Sequence, residues 1–319
     1  MIYALFLLFI VIAICILIEE RNIRLIIYMT IFSLTASASF FFLGSPDVAM
    51  AEAAVGAFTT IFFIVCFEKY DDLKVDHLSR TAKKNANKEL NKKKKWKALI
   101  LPLGFTAVLF GLFIYFIPVG SVGEVNTYLK EQYLSRFMYE IGGENAVTAI
   151  YLGYRVYDTL FEALVLIISV IAVSHMSHSS KESVSDGRHS DVERSVVVVT
   201  VMRIVCAVVL LFGVYLIFNG HLTAGGGFQG GLFIAVFFVC RYLIYNIYDL
   251  PIKKMFRLEE FIFFFTILIV IFIVFLGIHA HFPPAFQAMY MVVMNLMIGL
   301  KVGCGFVILF YRFIAIERE

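Results

Sequence analysis

The chain has 319 residues and a formal net charge of +3; 61% of its residues are hydrophobic, only 16% are charged, and the mean hydropathy is +0.88. Soluble globular domains carry about 45–50% apolar and about 25% charged residues, so this composition excludes an ordinary soluble domain. Long apolar runs with polar connections predict membrane-spanning helices rather than a β-barrel. We therefore expect an all-α integral membrane protein that passes several times through the cell membrane.

Nine apolar runs are each long enough to cross about 30 Å of hydrocarbon at about 1.5 Å per residue. These predicted spans are about 2–18, 23–43, 48–67, 98–117, 147–173, 196–218, 230–248, 258–280 and 288–312. The first run is followed by EERNIR and not by a small-residue cleavage site, so it is predicted to be a retained helix. Two polar stretches separate the spans into groups: a basic linker at 71–97 and a Ser- and His-rich linker at 175–195.

The positions of lysine and arginine predict the orientation of these spans. If the N-terminus is outside, only Lys130 and Arg136 of the 27 basic residues fall in outward loops. Cytoplasmic loops of membrane proteins carry the excess of Lys and Arg, so we expect an external N-terminus and a cytosolic C-terminus. The KKKK run of the basic linker is also a candidate site for anionic lipid, although a solvated linker that fixes topology is the favoured interpretation.

Ionisable residues inside predicted spans are costly and therefore suggest function. Asp47 lies at the mouth of span 3, and Glu52 lies further along the same helix. Span 5 contains Arg155, Asp158 and Glu162 at spacings that place all three on one helix face. Arg155 can neutralise only one of the two carboxylates, and Asp158 is nearer in sequence. Glu162 is then the spare carboxyl, which favours a proton or cation relay over a purely structural ion pair.

Two further features lie in the C-terminal third. Lys301 is near mid-depth in span 9, with transport and structural pairing equally open. Residues 220–231 read GHLTAGGGFQGG, which matches a nucleotide-binding G-x-G-x-x-G pattern. Because apolar spans flank it and it faces outward, we interpret it as a tight, buried turn against neighbouring subunits, where His221 is a candidate to line a water path. The residues expected to build this loop are Gly225, Gly226, Gly227, Gln229, Gly230 and Gly231.

Several of these segments resemble a known family. SPDVAMAEAAVGAFTTIFF is similar to the D-type small subunit of membrane-bound hydrogenases (MbhD), and NAVTAIYLGYRVYDTLFEALVLI is similar to the E-type subunit (MbhE). RIVCAVVLLFGVYLIFNGHLTAGGGFQGG and NLMIGLKVGCGFVILF resemble MrpB of the Mrp antiporters, which corresponds to the F-type subunit of the hydrogenase (MbhF). The chain thus looks like a fusion of these three subunits.

The resemblance implies a segment order and one further site. The implied segments are 1–70 (MbhD-like, three helices), 71–97 (cytosolic linker), 98–174 (MbhE-like, two helices), 175–195 (cytosolic linker) and 196–319 (MrpB/MbhF-like, four helices). The first five spans also resemble the J-type subunit of respiratory complex I, whose third span carries a π-bulge. Gly56 is the corresponding candidate here.

The resemblance implies that the chain is a non-redox subunit of a multisubunit Na+/H+ antiport module. Its partners would be an antiporter-like large subunit and a C/G-type small subunit, with Na+ and H+ as the transported ions and no nucleic acid. No cysteine cluster and no flavin- or nucleotide-binding fold is visible in the sequence. We therefore expect no cofactor and no metal in this chain, and no catalysis by the chain itself.

Three alternatives stay open at this point. Because no large antiporter-like region precedes the first span, a hydrogenase-like or related respiratory complex is favoured over a stand-alone Mrp antiporter. A pure assembly scaffold without a transport path is the third. It predicts that the carboxylates within the spans can be neutralised without loss of transport.

Overall fold

The computed structural model describes residues 2–19, 21–80, 128–178, 196–245, 251–276 and 283–315, with isolated residues between 104 and 111. Every regular element in these ranges is a helix. In chain order the helices are α1 (Ile2–Ile18), α2 (Asn22–Phe42), α3 (Pro46–Arg80), α4 (Tyr128–Glu140), α5 (Ala146–Ala149), a π-helical turn (Ile150–Tyr154), α6 (Val156–His178), α7 (Val196–Asn219), α8 (Gly227–Tyr245), α9 (Ile252–Leu276) and α10 (Pro284–Ala315).

The predicted all-α fold is confirmed for the described part of the chain. Each predicted span that lies in the described ranges coincides with a helix or, for 147–173, with α5, the π-helical turn and α6. Most of the span predicted at 98–117, and most of both linkers, lie outside the described residues. Helix α3 continues to Arg80, so residues 71–80 at the start of the predicted basic linker are helical.

Five described helices have a stretch long and apolar enough to cross a membrane. These stretches are Asn22–Phe42, Pro46–Phe67, Val156–Met176, Val199–Asn219 and Ala285–Phe313. Leu7–Ile18 and Gly227–Tyr242 are shorter apolar helical stretches. The chain is therefore a multi-pass membrane protein.

The chain divides into two compact units. One contains Met1–Lys69 and Arg136–Glu319, and the other contains Tyr70–Ser135. In the second unit α3 ends and α4 begins. The site described below lies within the first unit.

Helix α8 packs on α10 through glycines spaced four residues apart on both helices. A Cβ atom at Gly227 would lie 2.5 Å from the carbonyl oxygen of Asn295, and one at Gly303 would lie 3.3 Å from that of Gly231. One at Gly299 would lie 3.1 Å from the carbonyl oxygen of Gly227. Small residues at this spacing let helix backbones approach closely in membranes, where association depends on packing and not on water exclusion.

The opposite side of α8 packs on α7 in the same way. A Cβ atom at Gly213 would lie 3.0 Å from the carbonyl oxygen of Gly230, and one at Gly230 would lie 2.6 Å from that of Gly213. The glycine-rich sequence therefore places α8 between α7 and α10. The tract packs within this chain, and its expected contact with neighbouring subunits stays a prediction.

The π-helical geometry expected at Gly56 occurs elsewhere. Gly56 lies within α3, which is α-helical there, and the Thr60 hydroxyl donates to the Gly56 carbonyl at 2.7 Å. The glycine is explained by packing, since a Cβ atom at this position would collide with the Ser33 hydroxyl of α2. The π-helical turn lies instead at Ile150–Tyr154, and the Arg155 amide donates to the Ile150 carbonyl at 2.8 Å.

We predict that Gly227→Ala destabilises the protein. The added methyl group would meet the Asn295 backbone, which cannot rotate away, and overpacking of this kind costs about 1–3 kcal/mol. The measurement is the thermal midpoint and yield of the detergent-purified protein. Gly111→Ala is the matched control, since a Cβ atom there meets nothing within 4 Å. An unchanged thermal midpoint for Gly227→Ala would show that α8 and α10 pack less closely than described.

Candidate functional site

Asp47 lies at the start of α3 in a buried polar cluster and is only 8% exposed. Its Oδ1 atom accepts hydrogen bonds from Asn145 Nδ2 at 2.9 Å and from the Gly225 amide at 3.1 Å. The Gln229 side-chain amide lies at 3.5 Å from the Asp47 carbonyl, at the outer limit for a hydrogen bond. Asp47 therefore joins α3 to the glycine-rich segment between α7 and α8.

Asn145 connects this cluster to the start of α5. Its Oδ1 atom accepts from the amides of Val147 and Thr148, as a helix N-cap does. Its Nδ2 atom also lies 2.9 Å from the carbonyl oxygen of Thr223 and 3.2 Å from that of Gly220. The Asn145 side chain thus forms hydrogen bonds with backbone groups at the start of α5 and in the turn after α7.

The turn after α7 is shorter than the sequence suggested. It ends at Gly226, because Gly227, Gln229, Gly230 and Gly231 already belong to α8. Of the predicted loop glycines, Gly225 has a φ of +143°, a backbone conformation that side chains rarely adopt. The glycine-rich segment is therefore a tight turn followed by a closely packed helix start.

His221 holds this turn against the start of α5. Its carbonyl oxygen accepts from the amides of Glu144 and Asn145 at 2.9 and 3.1 Å. Its Nδ1 atom is buried, and no hydrogen-bond partner for it occurs among the described residues. The structure thus shows a packing role for the His221 backbone, while its imidazole has an unused polar atom.

Tyr151 lies in the π-helical turn and faces the glycine-rich segment. Its hydroxyl is 3.1 Å from Asn295 Oδ1 on α10 and 3.4 Å from the Thr148 hydroxyl. Asn295 Oδ1 also accepts from the Gly227 amide at 3.0 Å, at the N-terminus of α8. A Cβ atom at Gly226 would collide with the Tyr151 hydroxyl, so the glycine makes room for the phenol.

The structure separates Glu52 from the Asp47 cluster. Its Oε1 atom accepts a hydrogen bond of 2.7 Å from the Ser33 hydroxyl of α2. Span 3 offers no basic residue within helical reach of Glu52, and Ser33 of α2 supplies a hydrogen bond to it.

The three charged residues of span 5 lie on the surface of the chain. Arg155 and Asp158 form an ion pair of 2.5 Å, and their side chains are 61% and 57% exposed. Glu162, one turn further along α6, is also exposed. The residue that follows it, Ala163, accepts a hydrogen bond from Lys301 through its carbonyl.

Lys301 is enclosed between three helices. Its Nζ atom is 3.6 Å from Glu259 Oε1 on α9, and both side chains are only 2% exposed. Nζ also donates to the Ala163 carbonyl on α6 at 2.5 Å and lies 5.6 Å from the centre of the Phe263 ring. The ammonium group is thus paired with Glu259 and bound to the backbone of the residue that follows Glu162.

Glu259 is a site residue that the sequence analysis missed. It follows KKMFRL at the edge of a predicted span, and no role was assigned to it there. The signal that points to it is Lys301, because a lysine near mid-depth requires an anionic partner. Gly305 makes room for this carboxylate, since a Cβ atom there would lie 3.1 Å from Glu259 Oε1.

We predict that Lys301→Met strongly destabilises the protein, because it leaves Glu259 buried without its cation. Breaking a buried pair in this way costs about 3–5 kcal/mol. Adding Glu259→Gln to Lys301→Met should restore part of the loss. Thermal unfolding of the purified variants measures both effects, with Lys130→Met on exposed α4 as the control. Wild-type stability for Lys301→Met alone would contradict the pairing.

Two family profiles match the chain. One, described as a domain related to the MnhB subunit of Na+/H+ antiporter, matches residues 197–310. The other, MbhD, which is the D-type subunit of MBH, matches residues 7–72. The first match contains Glu259 and Lys301, and the second contains Asp47 and Glu52.

Curated relatives carry antiporter names. A putative antiporter subunit mnhA2 of Staphylococcus haemolyticus (strain JCSC1435) is 26% identical over 179 residues, which are 56% of this chain and 20% of that protein. The protein of the same name from Staphylococcus aureus (strain JH9) is 29% identical over 154 residues, 48% of this chain and 17% of that protein. The chain therefore spans about a fifth of the length of these relatives.

Two solved structures share the fold. A chain of the Mrp complex from Dietzia sp. DQ12-45-1b superposes with a TM-score of 0.72 at 18% identity, covering 99% of this chain and 35% of that one. A chain of an archaeal respiratory complex, the membrane-bound sulfane sulfur reductase, superposes with a TM-score of 0.51 at 27% identity, covering 67% of this chain and 96% of that one. By these matches residues 7–72 are similar to an MbhD subunit and residues 197–310 to an MnhB-related domain, so that one polypeptide combines both segments.

Proposed function

We propose that the chain is a non-redox membrane subunit of a multisubunit Na+/H+ antiport module. The observation that carries the proposal is the enclosed ammonium group of Lys301, which pairs with Glu259 and donates to the carbonyl of Ala163, the residue that follows Glu162. Ionisable groups that are grouped inside a membrane protein usually serve an ion or proton path. The relatives named as antiporter subunits support the same function.

Within this proposal the chain crosses the cell membrane nine times, with an external N-terminus and a cytosolic C-terminus. Its MbhD-like, MbhE-like and MrpB/MbhF-like segments have the boundaries expected from the sequence, and the two linkers are cytosolic. The distribution of lysine and arginine supports this orientation. The partners are other membrane subunits of the complex, including an antiporter-like large subunit and a C/G-type small subunit, and the transported ions are Na+ and H+.

The contacts divide the proposed site residues into two groups. Glu162 and Lys301 form the relay, and Asp47 lies at its outer end. Arg155 and Asp158 neutralise one another and serve to orient α6, since their ion pair leaves neither charge for a path. Glu52, whose carboxylate accepts a hydrogen bond from Ser33, is also part of the proposed ion path, near its outer side.

A respiratory complex is the second candidate for the parent assembly. The observation that favours it is the similarity to a chain of the membrane-bound sulfane sulfur reductase complex. In both candidates this chain would carry no cofactor and would contribute ion translocation. Purification of the native complex decides between them, because stoichiometric nickel, iron or acid-labile sulfide would select the redox assembly.

We predict that Glu162→Gln removes most of the Na+-dependent proton movement while the complex still assembles. Glutamine keeps the shape and hydrogen-bonding capacity of the side chain but cannot titrate, whereas Glu162→Asp should retain part of the activity. The measurement is proton flux in inverted vesicles with and without added Na+. Asp158→Asn is the matched control, one turn away on the same helix and expected to keep its flux. Wild-type flux for Glu162→Gln would favour the scaffold instead.

We predict that cysteines introduced at Lys88 and Ser179, in the two linkers outside the described residues, react only from the cytosolic side. The basic composition of the first linker and the alternation of spans place both positions there. A membrane-impermeant thiol reagent applied to right-side-out and inverted vesicles measures the sidedness. External labelling of either cysteine would overturn the topology.

A further inference from the structure

We infer that the charged face of α6 is covered by a membrane-spanning helix of another subunit, and that this helix carries a lysine or arginine opposite Glu162. The charged face is the stripe formed by Asp158, Glu162, Val165 and Ser169, which lie at positions i, i+4, i+7 and i+11 of α6. The inference rests on the proposed function, in which the chain is one subunit of a larger complex, and it adds the surface and the chemistry of one contact.

The acidic residues of the charged face lie inside the membrane and not at its edge. The apolar stretch of α6 that can cross a membrane is Val156–Met176, and it contains both Asp158 and Glu162. Helix α5 and the π-helical turn directly precede α6, so Glu162 is 16 residues from the first helical residue, Ala146, and 14 residues from Met176. At about 1.5 Å per residue, Glu162 is about 20 Å or more from either point.

The described chain leaves this face uncovered. The Asp158 side chain is 57% exposed, Val165 is 62% exposed, and Glu162 and Ser169 are exposed as well. Ionisable side chains within a membrane almost always face protein or a water-filled cavity, because lipid tails cannot solvate a charge. Lipid is therefore a poor covering for the charged face, and another protein surface is required there.

The cations near Glu162 are already paired with other carboxylates. Arg155 forms an ion pair with Asp158, and Lys301 forms one with Glu259 on the inner side of α6. Within the described part of the chain, the Glu162 carboxylate therefore has no ion pair of its own. A cation that neutralises it has to come from the surface that covers α6.

Two other proteinaceous coverings suit Glu162 less well. The span predicted at 98–117, most of which lies outside the described residues, reads ALILPLGFTAVLFGLFIYFI and contains no lysine, arginine or histidine. A second copy of this chain in a closed dimer would use the same surface on both copies, so that Glu162 would meet Glu162. A helix of a different subunit avoids this like-charge contact and can supply the missing cation.

The remainder of the charged face allows a second helix to approach closely. The Ser169 hydroxyl donates back to the Val165 carbonyl at 2.8 Å, and Ala172, which is also exposed, lies three positions further along α6. Small side chains of this kind let helix backbones approach one another in membranes. Phe161 is 65% exposed and lies next to Glu162, at the edge of the stripe.

Photo-crosslinking of the assembled complex in its native membrane tests which surface covers the charged face. With p-benzoylphenylalanine at Phe161, we expect a crosslink to a different subunit, within a membrane-spanning segment that contains a lysine or arginine. Mass spectrometry of the crosslinked peptide identifies the segment. The matched control is the same probe at Leu166 of α6, which packs near Gly305 of α10 and should crosslink only within this chain.

Three crosslinks from Phe161 would overturn the inference: to lipid, to residues 98–117 of the same chain, or to a second copy of this chain. A crosslink to another subunit in a segment without lysine or arginine would overturn the proposed charge contact.

Charge reversal tests the chemistry of the same contact. Glu162→Lys should lower the amount of the crosslinked subunit that co-purifies with the chain by about tenfold or more, because like charges would then face each other. Glu162→Gln, which keeps hydrogen-bonding capacity, should retain that subunit. Exchange of the partner's basic residue for glutamate should restore co-purification with Glu162→Lys. Wild-type co-purification of Glu162→Lys would contradict the contact. If Glu162→Lys does not accumulate in the membrane, the Phe161 crosslink decides, since it leaves the charge of Glu162 unchanged.

Proton flux of Glu162→Gln, measured in the same membranes, separates failure of this contact from failure of the proposed function. If flux is lost but Phe161 crosslinks only to lipid or to this chain, the relay stands and the docking surface is wrong. If flux stays at the wild-type level and Phe161 crosslinks as expected, the docking surface stands and the relay is wrong.

Discussion

The close approach of α8 to α10 is the constraint on which the other features depend. Glycines at Gly227, Gly231, Gly299 and Gly303 let the two helix backbones approach within contact distance. This approach places the Gly227 amide against Asn295, and Asn295 in turn meets the Tyr151 hydroxyl. In a membrane, where apolar side chains gain little from leaving lipid, such packing is a main source of helix association. The glycine-rich sequence therefore positions polar groups between α8, α10 and the π-helical turn.

Charge is distributed unevenly over this scaffold. Arg155 and Asp158 are largely exposed and neutralise one another, whereas Lys301 and Glu259 are enclosed. Enclosing two charges is expensive, and a hydrophobic pair of similar size would often be at least as stable. The pair is thus poorly explained by stability alone, which agrees with a part in ion movement. Glu162 is exposed on α6, one turn from Asp158 and next to Ala163, whose carbonyl accepts from Lys301.

The helices could be predicted from the sequence because the length of an apolar run is read from consecutive residues and needs no knowledge of the fold. The ion pair between Arg155 and Asp158 was predicted for the same reason, since the two residues lie within one turn. The contact between Asn145 and Asp47 joins residues 98 positions apart, and no local pattern indicates it. Glu259 was missed because a carboxylate at the edge of an apolar run resembles an interfacial residue, and only the fold places it beside Lys301. The π-helical turn was expected at Gly56, where the small residue serves helix packing instead.

The central claim is that the Glu162 carboxyl exchanges a proton as cations move through the complex. Infrared difference spectroscopy of the purified complex, recorded with and without Na+, reports changes in carboxyl protonation directly. The account predicts a Na+-dependent band from a protonated carboxyl group that disappears in Glu162→Gln and persists in Asp158→Asn. A band that survives in Glu162→Gln, or the lack of any such band in an active complex, would contradict it.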